Sequence, residues 1–217
     1  VMMIVTSTYF NLQYQGYGLK QHDIAQFKGM SNEIVTYREQ TGKETLWTNG
    51  MFGGMPSAQI SYVYDGNYVK AFTNGFFKIF EIPAGAVLLS MLGFYILMMC
   101  LRINPWIGLL GAIAYGFASY DIIILQAGHN TKAIAAAFMA PTLGGFIMAY
   151  LRNLRWGSIL SAVFMAFELA ANHLQITYYF AFLLLAVGIV FFMNAIKNKT
   201  YRNFLIATAG VIVAYVL

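Results

Sequence analysis

Apolar and polar positions are unevenly distributed along this chain. From residue 82 it is a succession of long apolar runs, about 82–101, 106–125, 133–151, 156–173, 175–196 and 203–217, separated by short polar turns. A helix needs about 20 mainly apolar residues to cross a bilayer's hydrocarbon, and these runs match or approach that length. Residues 1–10 are apolar as well and read as the end of a first membrane helix. Segment 11–80 is polar enough to sit in water. Within it Ile24, Phe27, Met30 or Ser31, Ile34 and Tyr37 recur at spacings of three and four. This predicts an amphipathic helix over 23–40 that could lie on a membrane surface, with Thr41-Gly42 as its stop. The expected fold is all-α, a polytopic membrane helical bundle in which 11–80 is one large loop and 81–217 holds helices two to seven. Both termini fall within apolar runs, so the chain is expected to be a piece of a longer protein, with its last helix truncated.

Composition strengthens that picture. Of 217 residues, 59% are hydrophobic and 10% charged, against about 25% charged in an ordinary soluble domain. A disordered chain and a disulfide scaffold are excluded, and a soluble helical domain with several all-round apolar helices would be anomalous. The single cysteine, Cys100, lies in an apolar run and reads as a small buried hydrophobe. The net charge of +5 is not massed on one segment, so nucleic acid is not an expected partner. Instead the placement of charge orients the chain. Arg102, Arg152, Arg155, Lys197, Lys199 and Arg202 occupy alternate turns without an acid, whereas the turns at 126–132 and 172–176 hold only Lys132. Because positive charge stays on the cytoplasmic side, 102–105, 152–155 and 197–202 are expected to face the cytoplasm. The other turns and 11–80 are then extracytoplasmic.

By this orientation all three histidines fall outside. His22 adjoins Asp23, His129 lies in Gly128-His129-Asn130-Thr131-Lys132, and His173 in Asn172-His173-Leu174-Gln175. Asp121 and Glu168 sit toward the outer ends of their helices. Ionisable groups at membrane depth are costly and usually functional, so these groups are expected to share one polar pocket. The plainer alternative is that the histidines are structural and that Asp121 and Glu168 pair with Lys132 or a tyrosine hydroxyl. In a pocket, Asp23 could act as general base on a hydroxyl, with His129, Asn130, Lys132 and His173 steadying a phosphate leaving group. Asp plus His could instead hold a divalent metal, Mg or Mn, beside a phosphate, although no dense ligand motif is present. The run Leu46-Trp47-Thr48-Asn49-Gly50-Met51-Phe52-Gly53-Gly54-Met55-Pro56 reads as turns. It either offers free N–H groups to an oxygen ligand or plugs the outer mouth of the bundle.

Four strings, Gln21-His22-Asp23-Ile24-Ala25-Gln26-Phe27, 46–56, Gly128-His129-Asn130-Thr131-Lys132 and Asn172-His173-Leu174-Gln175-Ile176-Thr177-Tyr178-Tyr179, resemble the YfhO family of bacterial polytopic membrane proteins, its Bacteroidetes-type members most of all. The resemblance covers essentially the whole chain, as the N-terminal portion of a longer membrane domain. It implies a GT-C type glycosyltransferase-like bundle in the bacterial cytoplasmic (inner) membrane. Such enzymes move a sugar from a polyprenyl-phosphate carrier to a lipid, wall-polymer or protein acceptor at the outer face. The resemblance further implies a catalytic acid at the start of the first outer loop, matched by Asp23, and a looser second one, matched by Asp121. His22, His129, Asn130, Lys132, Glu168 and His173 are the expected substrate-binding residues. A lipid-linked substrate transporter or flippase and a non-catalytic scaffold subunit are the rival readings. Pro141 and Gly144-Gly145 in one helix give the transporter some support.

Overall fold

The computed structural model describes residues 1–64 and 66–216; Asp65 and Leu217 lie outside the described residues. The chain is 76% helical with almost no sheet. In order, the helices are α1 (Met2–Tyr9), α2 (Asn11–Tyr14), α3 (His22–Thr41), α4 (Tyr68–Ile79), α5 (Ala84–Cys100), α6 (Pro105–Gly116), α7 (Ser119–Ala127), α8 (Asn130–Leu151), α9 (Leu154–Ala170), α10 (Leu174–Lys197) and α11 (Tyr201–Val216). A two-residue antiparallel ribbon pairs β1 (Trp47–Thr48) with β2 (Met55–Pro56).

Local chemistry sets the boundaries. Asn104 Oδ1 accepts from the Trp106 N–H at 2.9 Å, and Pro105 follows at the first helical position, so α6 starts there. Asn153 Oδ1 accepts from the Trp156 N–H at 3.1 Å and starts α9. Arg152 donates to the Cys100 and Leu101 carbonyls at 2.8 and 3.1 Å. It satisfies the orphan acceptors at the end of α5 and places a cation where the helix dipole is negative. The predicted 23–40 helix is α3, and its stop is Gly42, in the left-handed region at φ 67°.

Among the described residues, three helical stretches are long and apolar enough to cross a membrane: Pro105–Ala127, Asn130–Leu151 and Leu174–Lys197. A fourth counts if α4 and α5 form one span bent by 118°. The expected six runs are thus modified. The run at 106–125 is broken at Phe117–Ala118 into α6 and α7. Those at 82–101 and 156–173 become helices of 17 residues, about 26 Å at 1.5 Å per residue against a hydrocarbon core of about 30 Å. Segment 11–80 is not all loop, since α4 folds back over the flank of the bundle.

The centre is α8, packed against α5, α7, α9, α10 and α11. Its seam with α9 is backbone on backbone. A Cβ at Gly145 would lie 2.5 Å from the Ser161 nitrogen, and one at Gly157 2.3 Å from the Ala149 nitrogen. In lipid no hydrophobic force drives helices together, so close approach through small residues does that work. Ser161 adds a polar link across the seam, to the Thr142 carbonyl at 3.0 Å, and meets the Tyr215 hydroxyl of α11 at 2.7 Å. By contrast α10 buries only Phe180, Leu184 and Ala195, and its exposed flank carries Phe182, Leu185, Ile189 and Met193. The bundle therefore has two distinct ends. One carries the turns of Arg102 and Arg152, joined by the Arg152 cap. The other joins the turns at 128–131 and 171–173 to the start of α3.

Candidate functional site

The second end gathers most of the polar chemistry. Gly128 closes α7 at φ 107°, a conformation that favours glycine. A Cβ there would press on Asp23 Cβ and Gln21 Cβ, both at 3.2 Å. Glycine thus lets the start of α3 settle against the α7–α8 turn. Gln21 then clasps Asn130 through reciprocal amide bonds of 2.9 and 3.3 Å, and its Nε2 also donates to the Leu125 carbonyl. This clasp brings Asp23 Oδ2 to 3.2 Å from His129 Nε2, with side chains 36% and 49% exposed. That partial exposure leaves the pair open to solvent.

His173 lies one layer away. Its Nδ1 meets the Thr131 hydroxyl at 3.3 Å. Its Nε2 is buried without a hydrogen-bond partner among the described residues. Burial, then the Lys132 ammonium and then His129, hold this imidazole below the ordinary histidine value. The Lys132 ammonium rests over the Tyr120 ring at 5.2 Å, a cation–π contact. Asp23, His129, Asn130, Lys132 and His173 thus belong to one neighbourhood.

The other predicted members do not join them. His22 points along α3 to Gln26, at 2.9 Å. Asp121 stands in the first turn of α7, just past the break in the helix, and forms no ion pair or side-chain hydrogen bond with any described residue. The acid at that place suits the positive end of a helix dipole. Glu168 is 0% exposed, and both its oxygens face the Thr177 hydroxyl, at 2.9 and 3.0 Å. It therefore presents nothing to a substrate, and its partner is neither Lys132 nor a tyrosine. In place of the single expected pocket there is an open cluster, a buried Glu168, and Asp121 apart from both at the start of α7. Gln21, Thr131 and Thr177 were not singled out by sequence reasoning. Gln21 had a signal in its place beside His22-Asp23, whereas Thr177 had none.

In the 46–56 turn the Asn49, Gly50 and Gly54 N–H groups are taken. Glu33 Oε2 accepts from the Thr48 hydroxyl and from the Asn49 N–H at 2.9 Å. The Gly50 N–H donates to Thr48 Oγ1 at 3.2 Å and the Gly54 N–H to the Met51 carbonyl at 2.8 Å. Hydrogen bonds from Thr48, Asn49 and Gly50 hold the Glu33 carboxyl below its ordinary range, against the opposing pull of burial. These bonds make 46–56 a compact turn. It does not plug the bundle: a cavity of about 830 Å³ remains between Met51 and Met55 of the turn, Phe27 and Met30 of α3, and Thr131 and Asn172.

Among the described residues no three His, Cys, Asp or Glu side chains are grouped so as to hold a metal ion. Asp23 and His129 alone supply two donors. Mg or Mn, which favour six largely oxygen ligands, do not fit that set. No family model, curated protein or solved structure matches this chain.

Proposed function

We propose that this chain is part of a GT-C-like glycosyltransferase of the bacterial cytoplasmic membrane, with 11–80 as its extracytoplasmic loop. It moves a sugar from a polyprenyl-phosphate carrier to a lipid, wall-polymer or protein acceptor at the outer face. The observation that carries this reading is the half-exposed Asp23–His129 pair at 3.2 Å, at the end of the bundle opposite the Arg102 and Arg152 turns. In the proposed reaction Asp23, oriented by His129, takes the proton of the acceptor hydroxyl as that oxygen attacks the anomeric carbon. The bond from that carbon to the carrier phosphate breaks, and Lys132 and the His173 side of the cluster meet the departing phosphate. One displacement inverts the anomeric configuration. The test supplies the purified full-length protein in liposomes with a panel of polyprenyl-phosphate sugars and follows transfer. A wild-type rate in Asp23→Asn would sink the assignment of the base.

A transporter of lipid-linked substrates is the second reading, favoured by one observation. The α6–α7 helix is broken at 117–118, and Asp121 opens its second half, as discontinuous helices do in transporters. Substrate movement across sealed liposomes without sugar transfer would select it over the enzyme.

A further inference from the structure

Helix α4 has three faces. Thr73, Phe76 and Phe77 are half-buried and turned to the bundle, Phe77 against the core that includes Val87 and Met91. Lys70, Asn74 and Lys78, each four residues apart, form an exposed polar stripe, and the helix contains no acid. Tyr68, Phe72 and Ile79, four and seven residues apart, form a separate apolar stripe. They are 84%, 69% and 73% exposed. A contiguous apolar stripe left open marks a contact with protein or with membrane.

The place of α4 selects between the two. Near its start, Lys70 shares a cavity wall with Leu169 and Ala170 at the end of α9. Past its other end, Phe80 touches the first turn of α5, where a Cβ on Gly85 would lie 1.9 Å from the Phe80 carbonyl oxygen. Both ends of α4 are therefore held at the bundle end opposite the Arg102 and Arg152 turns. The bend of 118° onto α5 sets α4 closer to the plane of a bilayer than to its normal. Its apolar stripe is also continuous with the flank of the bundle: Phe72 meets Phe167 of α9 at 5.3 Å and shares an apolar recess with Leu92 and Ile96 of α5. Helix α3, whose spacing first suggested a membrane surface, buries Ser31 and Ile34 within the protein. We infer that α4 is an interfacial helix: Tyr68, Phe72 and Ile79 enter one leaflet of the bilayer, and Lys70 and Lys78 lie among anionic phospholipid headgroups. Amphipathic helices of this kind sit about 5–10 Å into the boundary of headgroups and acyl chains, tyrosine favours that level, and basic residues beside it are drawn to anionic lipid. The inference holds whether the protein transfers a sugar or moves a lipid.

Depth is read by electron paramagnetic resonance on cysteine-free full-length protein (Cys100→Ala) in nanodiscs. A nitroxide is attached singly at Tyr68→Cys, Ile79→Cys, Asn74→Cys or Lys78→Cys. All four sites are exposed, so a label displaces no packing, and misfolding of one variant leaves a second on the same stripe. Oxygen, which concentrates in hydrocarbon, is expected to reach labels at 68 and 79 several-fold better than a water-soluble nickel complex does. The order should reverse at 74 and 78. Equal access of nickel to all four labels puts α4 in water and overturns the inference. Exclusion of both reagents from 68 and 79 overturns it in favour of a covering protein segment. Labels all at midplane depth make α4 part of a bent span and overturn it as well. The headgroup assignment is tested by comparing phosphatidylcholine discs with discs rich in phosphatidylglycerol. Replacing Lys70→Gln and Lys78→Gln together should make the 68 and 79 labels shallower in the anionic discs alone. Depths unmoved there overturn the anionic-headgroup assignment.

Discussion

The α8–α9 seam and the Asp23–His129 end are built on opposite terms. At the seam, backbones touch at Gly145 and Gly157, and the polar links are few and buried. Neither glycine there can grow by a single carbon without meeting the facing backbone. At the other end, glycine at 128 also permits a close approach, but what it admits is a set of side chains left partly open. The same residue type thus serves rigidity in one place and presentation in the other. Substitutions should separate the two: at the seam they should damage the fold, and at the end they should damage chemistry.

The largest expected effect is on the chemistry. Asp23→Asn keeps the shape of the side chain and removes the base, so transfer should fall about 10²- to 10⁴-fold. The thermal midpoint should scarcely move, because partly exposed pairs contribute little to stability. A midpoint drop as large as that of a seam variant would place Asp23 with the structural residues. Next comes the seam itself. Gly145→Val sets two methyl groups and a Cβ against the α9 backbone and should cost about 1–3 kcal/mol, read as a thermal midpoint lowered by several degrees in detergent. Transfer per folded molecule should be retained. Full tolerance of valine would mean that the helices are not in contact there.

Glu168 tests the boundary between the regions, since it is an acid but behaves as core. Glu168→Gln keeps an acceptor for the Thr177 hydroxyl and removes a charge from a site with one hydroxyl as its partner. Transfer should stay within about twofold and stability should be unchanged or raised, as when buried charges give way to neutral groups. A loss like that of Asp23→Asn would bring Glu168 back into the reaction.

How far the sequence foretold these differences depended on the range of the contact involved. The α3 helix was legible because its spacing and its Gly42 stop are local. The close pairing of Asp23 with His129 was foreshadowed, because both sit beside turns that the charge pattern puts at one end. Helix α4 was read as loop because Lys70, Asn74, Gly75 and Lys78 interrupt it. Its apolar positions at Tyr68, Phe72, Phe76 and Ile79 carried the signal, but the 118° bend onto α5 did not show in them. The break at Phe117–Ala118 has no proline to announce it. Glu168 was singled out as a membrane-depth acid, but burial that leaves it facing Thr177 is a property of packing, not of composition.

The smallest expected effect belongs to the 46–56 turn, which shares the open end of the molecule but is built from clamps like the seam. Its clamp is Glu33, whose carboxylate is held below the ordinary range chiefly by the Thr48 hydroxyl. Over pH values between that lowered value and the ordinary one, about 4.3, the folded carboxyl binds fewer protons than the unfolded one. Stability of the turn therefore rises with pH through this window. The contribution is fully present above the ordinary value and is lost as pH falls through the lowered one. Trp47, whose ring lies against Gly54, reports the turn by fluorescence once Trp106 and Trp156 are replaced by Phe. Acidification below about pH 4.3 should loosen the turn in the wild type. Thr48→Val should move the transition toward the ordinary glutamate value, and Glu33→Gln should abolish it. A transition unmoved by Thr48→Val would show that the turn is held by its backbone bonds instead, and the open end would then contain no clamp of the seam's kind.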